Sequence, residues 1–309
     1  MKKIFLMLTA VVMTAISVSA QDLATATETY NNGAMELQMG NMEAALTNFQ
    51  SALEMAEALG EQGAEIASNC KGAIPPVMFS IAKGYIKDGN FDSALAQLDA
   101  TIAAAKTYEN AEVAAEAAEL IPQVYMQQGN TAFKAKDMAT AVAAYGKVIE
   151  LDPTNGSAML RLGQVYAVTG KVDEAVASFE NAAANGMEKD AKKQLSNLFL
   201  KKAQAAVKAK KFQEAVDFAA KSNSYIETGN AYRMAATAYQ QLNKPAECIA
   251  SYEKYLELTP NAKDANGVKY TIAALAQTAG NKAKAKEYYQ MIVTDPQYGA
   301  TAKQMLQTL

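Results

Sequence analysis

The chain has 309 residues, of which 50% are hydrophobic and 20% are charged, and its formal net charge is −3 at pH 7. It contains no histidine, which excludes Ser-His-Asp and Cys-His catalytic sites, histidine-containing zinc sites and proton transfer by imidazole. The slightly acidic balance does not favour binding to nucleic acid, because phosphate backbones attract basic surfaces.

The first 20 residues have the pattern of a secretory signal peptide. Two lysines precede an apolar run that begins at Ile4, and the small residues Val18-Ser19-Ala20 lie just before Gln21. The run is too short, and too soon followed by polar sequence, to span a bilayer well. We therefore expect an exported chain, periplasmic or secreted, with no membrane span after cleavage; an uncleaved anchor is the alternative. No cysteine stands directly after the run, at the cleavage site, so we do not expect a lipoprotein.

From about residue 26 onward, the chain repeats one pattern of helical periodicity in which small residues and an aromatic residue recur at fixed spacing. Two segments carry it most clearly. Their defining residues are Tyr125, Gly129, Ala132, Ala141, Tyr145, Val148 and Pro153, then Met159, Leu162, Gly163, Tyr166, Gly170, Ala175, Phe179 and Ala182. The spacing predicts amphipathic helices, and Asp152-Pro153 predicts a helix end because proline lacks the amide donor.

This pattern resembles the tetratricopeptide repeat, a helix-turn-helix unit of about 34 residues. The resemblance implies an all-α fold, namely a right-handed α-solenoid of about seven such repeats with a C-terminal capping helix. Residues 21–309 would form this single solenoid. Its repeats are expected near 26–59, 75–108, 122–155, 156–189, 196–228, 229–262 and 266–297, and its capping helix at 299–309.

Two insertions lengthen the spacing between the first three repeats, at residues 58–74 and 105–121. They end in similar phrases, AIPPVMFS and LIPQVYMQ. We interpret each insertion as an extra helical stretch that leads into the repeat, with Pro75 or Pro122 at the first turn of the repeat's own helix. The sequence leaves open whether the insertions bind anything or only add stability.

Charge is distributed unevenly along the repeats. Residues 21–70 contain eight acidic residues and no lysine or arginine, whereas residues 188–221 contain nine lysines and four acidic residues. A solvated face is the simplest explanation for each segment. The alternatives are a docking site for a basic partner at the acidic end, and contact of the basic segment with an anionic surface or with another copy's acidic end.

The sequence offers no catalytic or cofactor motif. Neither GxxxxGK[ST] nor GxGxxG occurs, and acidic pairs such as Asp173 and Glu174 are expected to serve helix starts. Cys70 precedes the second repeat and Cys248 lies in the sixth, and these parts would not touch in a solenoid. We therefore expect two free, buried thiols rather than a disulfide or a metal site. We therefore predict no enzyme activity, no cofactor and no metal.

The surface of the repeats is the remaining candidate site. In the family that the pattern resembles, the first helices of the repeats line a concave groove, and repeat positions 2, 5, 9, 12 and 13 point into it. The partner-binding residues that this implies, taken from positions 5 and 9, are Tyr30, Phe79, Lys83, Met126, Asn130, Leu160, Gln164, Leu200, Gln204, Arg233 and Tyr270. An apolar stripe flanked by amides would suit an extended segment or a helix of another protein. Packing of position 5 against neighbouring repeats is the equal alternative.

The best-defined specificity of that family is for a chaperone's acidic carboxyl terminus, and it requires lysine at position 5 and asparagine at position 9 of one repeat. No repeat has lysine at position 5, and Asn130 alone matches at position 9, so that partner is not implied. We expect an exported, non-catalytic scaffold that binds a protein or peptide. The alternatives are a binder of carbohydrate or envelope polymer, and self-assembly of the acidic first repeat with the basic fifth of another copy.

Overall fold

The chain folds into α-helices joined by short connections. A computed structural model describes the backbone of residues 2–309 and the side chains of residues 20–309. The helices are α1 (Lys2–Met39), α2 (Met42–Ala58), α3 (Ala64–Lys87), α4 (Phe91–Thr107), α5 (Ala111–Lys134), α6 (Met138–Leu151), α7 (Gly156–Thr169), α8 (Val172–Ala182), α9 (Glu188–Lys208), α10 (Phe212–Tyr225), α11 (Gly229–Gln241), α12 (Pro245–Leu258), α13 (Ala265–Thr278), α14 (Lys282–Gln290) and α15 (Gly299–Thr308). Residues 2–309 contain no β-strand. The predicted all-α fold of helical repeats is confirmed.

The predicted signal peptide, residues 1–20, lies outside the residues whose side chains are described, apart from Ala20. It stays a prediction, as do the limits given above for the single repeats and the unbroken solenoid over residues 21–309. Among the described residues, none of the helices combines the length and the apolar character that crossing a membrane requires.

The helices form two compact units, Met1–Pro153 and Thr154–Leu309. In unit 1 each helix from α1 to α5 packs on the helix that follows it. In unit 2 the tightest pairs are α9 with α10, α11 with α12, α7 with α8, α10 with α11 and α13 with α14. Each unit is therefore built by stacking neighbours in chain order, as expected of repeats that cannot bury their apolar faces alone.

The core of each unit combines residues of the repeating pattern with residues outside it. The largest fully buried side chains in unit 1 include Phe49, Ile74, Leu98, Val124 and Tyr145. Their counterparts in unit 2 include Phe179, Leu195, Ile272, Tyr289 and Ile292. The small residues of the pattern provide room for these rings, because Gly33, Gly129 and Gly163 face Phe49, Tyr145 and Phe179 at distances that leave no space for a Cβ.

The two insertions form helical turns that are continuous with the helices after them. Both α3 and α5 have 24 residues, and Pro75 and Pro122 lie inside them. The prediction that these prolines stand at the first turn of a helix is wrong. An interior proline costs about 3 kcal/mol, but the upstream turns of α3 bury Ala67 and Cys70 in the core of unit 1, and such packing outweighs local propensity.

Candidate functional site

Most predicted groove residues of unit 1 are occupied by contacts within the unit. Phe79 is only 6% exposed, in a buried cluster with Leu98 and Val124, and the ammonium of Lys83 lies 3.8 Å from the centroid of its ring. Tyr30 is half-buried, with its ring centroid 5.3 Å from that of Phe49. For Phe79, the structure therefore corresponds to the alternative in which position 5 packs against neighbouring helices.

The next pair of predicted residues, on α5, is also partly covered. Met126 and Asn130 are both half-buried. The Oδ1 atom of Asn130 accepts a hydrogen bond of 2.9 Å from the hydroxyl of Tyr145. The Oδ1 atom of Asn130 thus satisfies a buried phenol.

In unit 2, some predicted residues likewise pack internally. Leu160 on α7 is 8% exposed. Gln164 is half-buried, and its Oε1 accepts a hydrogen bond of 3.2 Å from Arg161. On α13, the ring of Tyr270 stacks on that of Tyr298 with centroids 5.3 Å apart. These positions contribute more to helix packing than to an accessible surface.

Three predicted residues do come together in unit 2. Leu200 and Gln204 on α9 and Arg233 on α11 line one cavity of about 250 Å³, together with Asn230 and Met234. We call it the first-helix pocket, because α9 and α11 are the first helices of their repeats. It combines two apolar side chains, two amides and a guanidinium group, which can hold an apolar side chain and hydrogen-bond the peptide backbone beside it.

Arg233 is held in place at the rim of this pocket by two neighbours. Its guanidinium forms an ion pair of 3.0 Å with Asp264 and lies 5.7 Å from the ring of Tyr255. The Tyr255 hydroxyl donates a hydrogen bond of 2.6 Å to the same carboxylate. Burial, followed by this hydrogen bond to Asp264, raises the pKa of Tyr255. The phenol and the carboxylate thus restrict the arginine before any ligand arrives, which lowers the entropy cost of binding.

Sequence reasoning did not select two of the five lining residues as site residues. Asn230 is at position 2 of its repeat, one of the positions that the family resemblance implies for the groove, so a signal was present. Met234 is at position 6, and only the packing of α11 against α9 brings it to the pocket.

Both cysteines are buried and free. Burial raises the pKa of the Cys70 and Cys248 thiols to about 11. The Cys248 thiol donates a hydrogen bond of 3.3 Å to the carbonyl oxygen of Ala236. Within the described residues, no group of three or more His, Cys, Asp or Glu side chains could hold a metal ion. The thiols therefore act as small apolar core groups.

Two segments of the chain match family models described as tetratricopeptide repeat, at residues 126–190 and 229–262. These segments contain α6 to α8, α11 and α12. Over these two segments the chain contains tetratricopeptide repeats. The two matches include Arg233, Asn230 and Met234 of the first-helix pocket, while Leu200 and Gln204 lie between them.

Known proteins with similar sequence or structure were also found. Hsp70-Hsp90 organizing protein 1 of Glycine max is 36% identical over 62 residues, which are 20% of this chain and 11% of that protein. This chain therefore spans about a tenth of the length of that relative. Among solved structures, MamA has a TM-score of 0.36 and 20% identity and covers 59% of this chain and 96% of its own.

Two further solved structures show comparable likeness. YrrB, described as a tetratricopeptide repeat protein with an unusual peptide-binding site, has a TM-score of 0.33 and 22% identity and covers 59% of this chain and 91% of its own. PilF of Pseudomonas aeruginosa has a TM-score of 0.30 and 19% identity and covers 60% of this chain and 81% of its own.

Proposed function

We propose that this chain is an exported, non-catalytic scaffold that binds an extended segment of another protein in the first-helix pocket of unit 2. Tetratricopeptide repeats are generally interaction modules without catalysis, which supports the general class. The signal-peptide pattern of residues 1–20 supports export. The observation that carries the proposal is the convergence of Leu200, Gln204, Asn230, Arg233 and Met234 on one cavity.

The composition of the pocket favours a peptide over a small metabolite. Its volume of about 250 Å³ is below the range of roughly 300–1,000 Å³ that encloses most small ligands. Such a space suits one anchoring side chain of a longer segment, which the apolar atoms of Leu200 and Met234 would cover. The amides of Gln204 and Asn230 can each donate and accept, so they can bond the N–H and C=O groups of an extended backbone.

Selection from a phage-displayed library of random peptides would test this proposal. The selected peptides would be labelled with fluorescein, and their affinity for the purified chain measured by fluorescence anisotropy. The key variant is Gln204→Ala with Asn230→Ala. Both residues are exposed, so the fold should persist. The matched control is Gln290→Ala with Gln304→Ala, two exposed amides of the same unit that do not line the pocket.

We expect the double variant at the pocket to bind the peptides that occupy it at least about fivefold more weakly, since two lost hydrogen bonds are worth about 1–3 kcal/mol. The control should bind like the parent. An excess of envelope polysaccharide should leave binding unchanged, and competition would favour the polymer-binding alternative. If every selected peptide binds the pocket variant as tightly as the parent, the pocket is not the binding site.

A further inference from the structure

A second cleft in unit 2 lies on the opposite face of α9. It is bounded by α8, α9 and α10 and has a volume of about 490 Å³; we call it the α8–α10 cleft. Phe199 and Lys202 of α9 line it, whereas Leu200 and Gln204 line the first-helix pocket. At about 100° of rotation per residue, these two pairs point to opposite sides of the helix. The cleft is therefore a separate surface.

The floor of the cleft is aromatic. Phe199 is 3% exposed, and its ring stacks on that of Phe218 with centroids 6.3 Å apart. The ring of Tyr225 lies nearly parallel to that of Phe199, with centroids 6.0 Å apart. Phe218 is half-buried and lines the cleft together with Val176, so its ring offers an apolar surface to an apolar or aromatic side chain of a ligand.

Two lysines stand over this floor. The ammonium of Lys221 lies 4.6 Å from the centroid of Phe199, and that of Lys202 lies 5.6 Å from the centroid of Phe218. Within the described residues, neither ammonium has a carboxylate within ion-pair distance. The rings position both cations at the edge of the cleft, where their remaining donors can meet an incoming carboxylate.

The α8 wall carries the opposite charge. Asp173 and Glu180 line it, with Val176 between them. Glu180 accepts a hydrogen bond of 3.3 Å from the hydroxyl of Tyr225, which links this wall to the aromatic floor. The two carboxylates do not pair with the lysines of the other wall. The cleft thus keeps opposite charges apart across an apolar floor.

We propose that the α8–α10 cleft binds an extended segment of a partner protein in which an apolar side chain stands between an acidic and a basic residue. The apolar side chain lies on the ring of Phe218 and against Val176. The acidic residue meets Lys202 and Lys221, and the basic residue meets the carboxylates of α8. This site goes beyond the function proposed above and does not depend on the first-helix pocket.

The dimensions and the charges of the cleft favour an extended peptide segment over nucleic acid or a second copy of the chain. The α8 wall extends from Val172 to Glu180, about 12 Å, which matches three to four residues of an extended chain. Nucleic acid is disfavoured, because its phosphates would face the carboxylates of the α8 wall. The acidic end of a second copy is disfavoured too, since residues 21–70 contain no lysine or arginine that could meet Asp173 and Glu180.

A charge-exchange experiment on the full chain tests the site. The affinity of each peptide selected from the random phage library is measured for three proteins. These are the parent, the double variant Lys202→Glu with Lys221→Glu at the cleft, and the double variant Gln204→Ala with Asn230→Ala at the first-helix pocket. The matched control is Lys189→Glu with Lys193→Glu, which changes the net charge equally at exposed lysines of the same helix. A milder variant, Lys202→Gln with Lys221→Gln, keeps polar side chains at both positions. Circular dichroism and thermal unfolding confirm that each variant is folded.

We expect a class of peptides with an apolar residue between an acidic and a basic one. Their affinity should fall at least about tenfold with the Lys202→Glu, Lys221→Glu variant, fall less with the glutamine variant, and stay unchanged with the pocket and control variants. Replacing the peptide's acidic residue by lysine should restore binding to the charge-reversed variant to within about threefold of the parent complex.

Three results would overturn the inference: no selected peptide carries the pattern, binding is insensitive to the cleft lysines, or the exchanged peptide fails to regain affinity. Because the pocket variant is measured alongside, each peptide reports separately on the two sites. Peptides lost only with the Gln204→Ala, Asn230→Ala variant would support the proposed function while overturning the cleft.

Discussion

A Cβ atom added to Gly129 would lie 2.7 Å from Cε1 of Tyr145, so the tyrosine ring closes directly on the backbone of α5. Tyr145 is fully buried, and its hydroxyl is satisfied by Asn130, the residue next to this glycine. The absence of a side chain at residue 129 therefore decides how closely α5 and α6 approach. The same relationship joins Gly163 to Phe179 in unit 2.

The first prediction concerns this contact. Gly129→Ala should destabilise unit 1 by about 1–3 kcal/mol, because overpacking outweighs the gain of about 1 kcal/mol in helix propensity. The measurement is urea unfolding followed by circular dichroism. Gly84→Ala is the matched control, since a Cβ there would meet nothing within 4 Å. It should be stabilising by about 0.5–1 kcal/mol. Equal stabilisation by both changes would contradict the proposed role of the tyrosine ring.

The second prediction concerns the proline inside α5. Pro122 leaves the carbonyl of Ala118 without its helical donor, so Pro122→Ala should stabilise unit 1, by about 1–2 kcal/mol once the greater freedom of the unfolded chain is subtracted. Pro245 stands at the start of α12, where no donor is missing, so Pro245→Ala should not stabilise unit 2. Denaturant midpoints of the two variants test this contrast. A loss of stability in Pro122→Ala would mean that the proline ring contributes packing that alanine cannot replace.

The third prediction concerns thiol reactivity. Burial raises the pKa of Cys70 and of Cys248 to about 11. At about pH 8, only about one thousandth of each cysteine is therefore in the thiolate form. Both should react slowly with a disulfide reagent in the native protein and rapidly in guanidinium chloride. Their burial stabilises the fold while the thiols are protonated, and this contribution should be lost as the pH rises from about 9 towards 11. Rapid labelling of the native protein would show that a thiol is accessible.

The fourth prediction separates packing residues from surface residues on the first helices. Phe79→Ala should cost about 3–5 kcal/mol, because the ring fills a buried cluster. Met35, on α1 of the same unit, is 53% exposed, and Met35→Ala should change stability by no more than about 0.5 kcal/mol. Chemical unfolding of the two variants gives both values. If Phe79→Ala unfolds like the parent, Phe79 is available to a ligand after all.

Local sequence patterns determined the helices and most of the core. The pair Asp152-Pro153 predicted where a helix ends, and α6 ends at Leu151 with an extended backbone at Asp152. The small and aromatic residues of the pattern, such as Ala141 and Tyr145, are buried. These features could be read from the sequence because helix termination by proline and amphipathic periodicity act over a few residues of chain.

Where a helix starts depended on packing instead. Local rules favoured helix starts at the prolines near residues 75 and 122, but α3 and α5 begin at Ala64 and Ala111. Burial of the upstream turns against neighbouring helices compensates for the missing backbone hydrogen bonds. Local helix propensity does not include the free energy gained by this burial, because the contacts are made with residues far along the chain.

The binding surfaces depend on the tertiary structure even more than the helix starts do. The sequence determined the repeat family, the helices and the residue types on each helix, because these follow from spacing within one repeat. Only the packing of α9 against α11 joined Leu200, Gln204 and Arg233 in one pocket. Packing within each unit likewise decided that Phe79 and Leu160 are covered. The α8–α10 cleft arises where three helices meet. Exposure and cavities are decided by the neighbours of a residue in space, and these contacts join parts of the chain that sequence periodicity treats as independent.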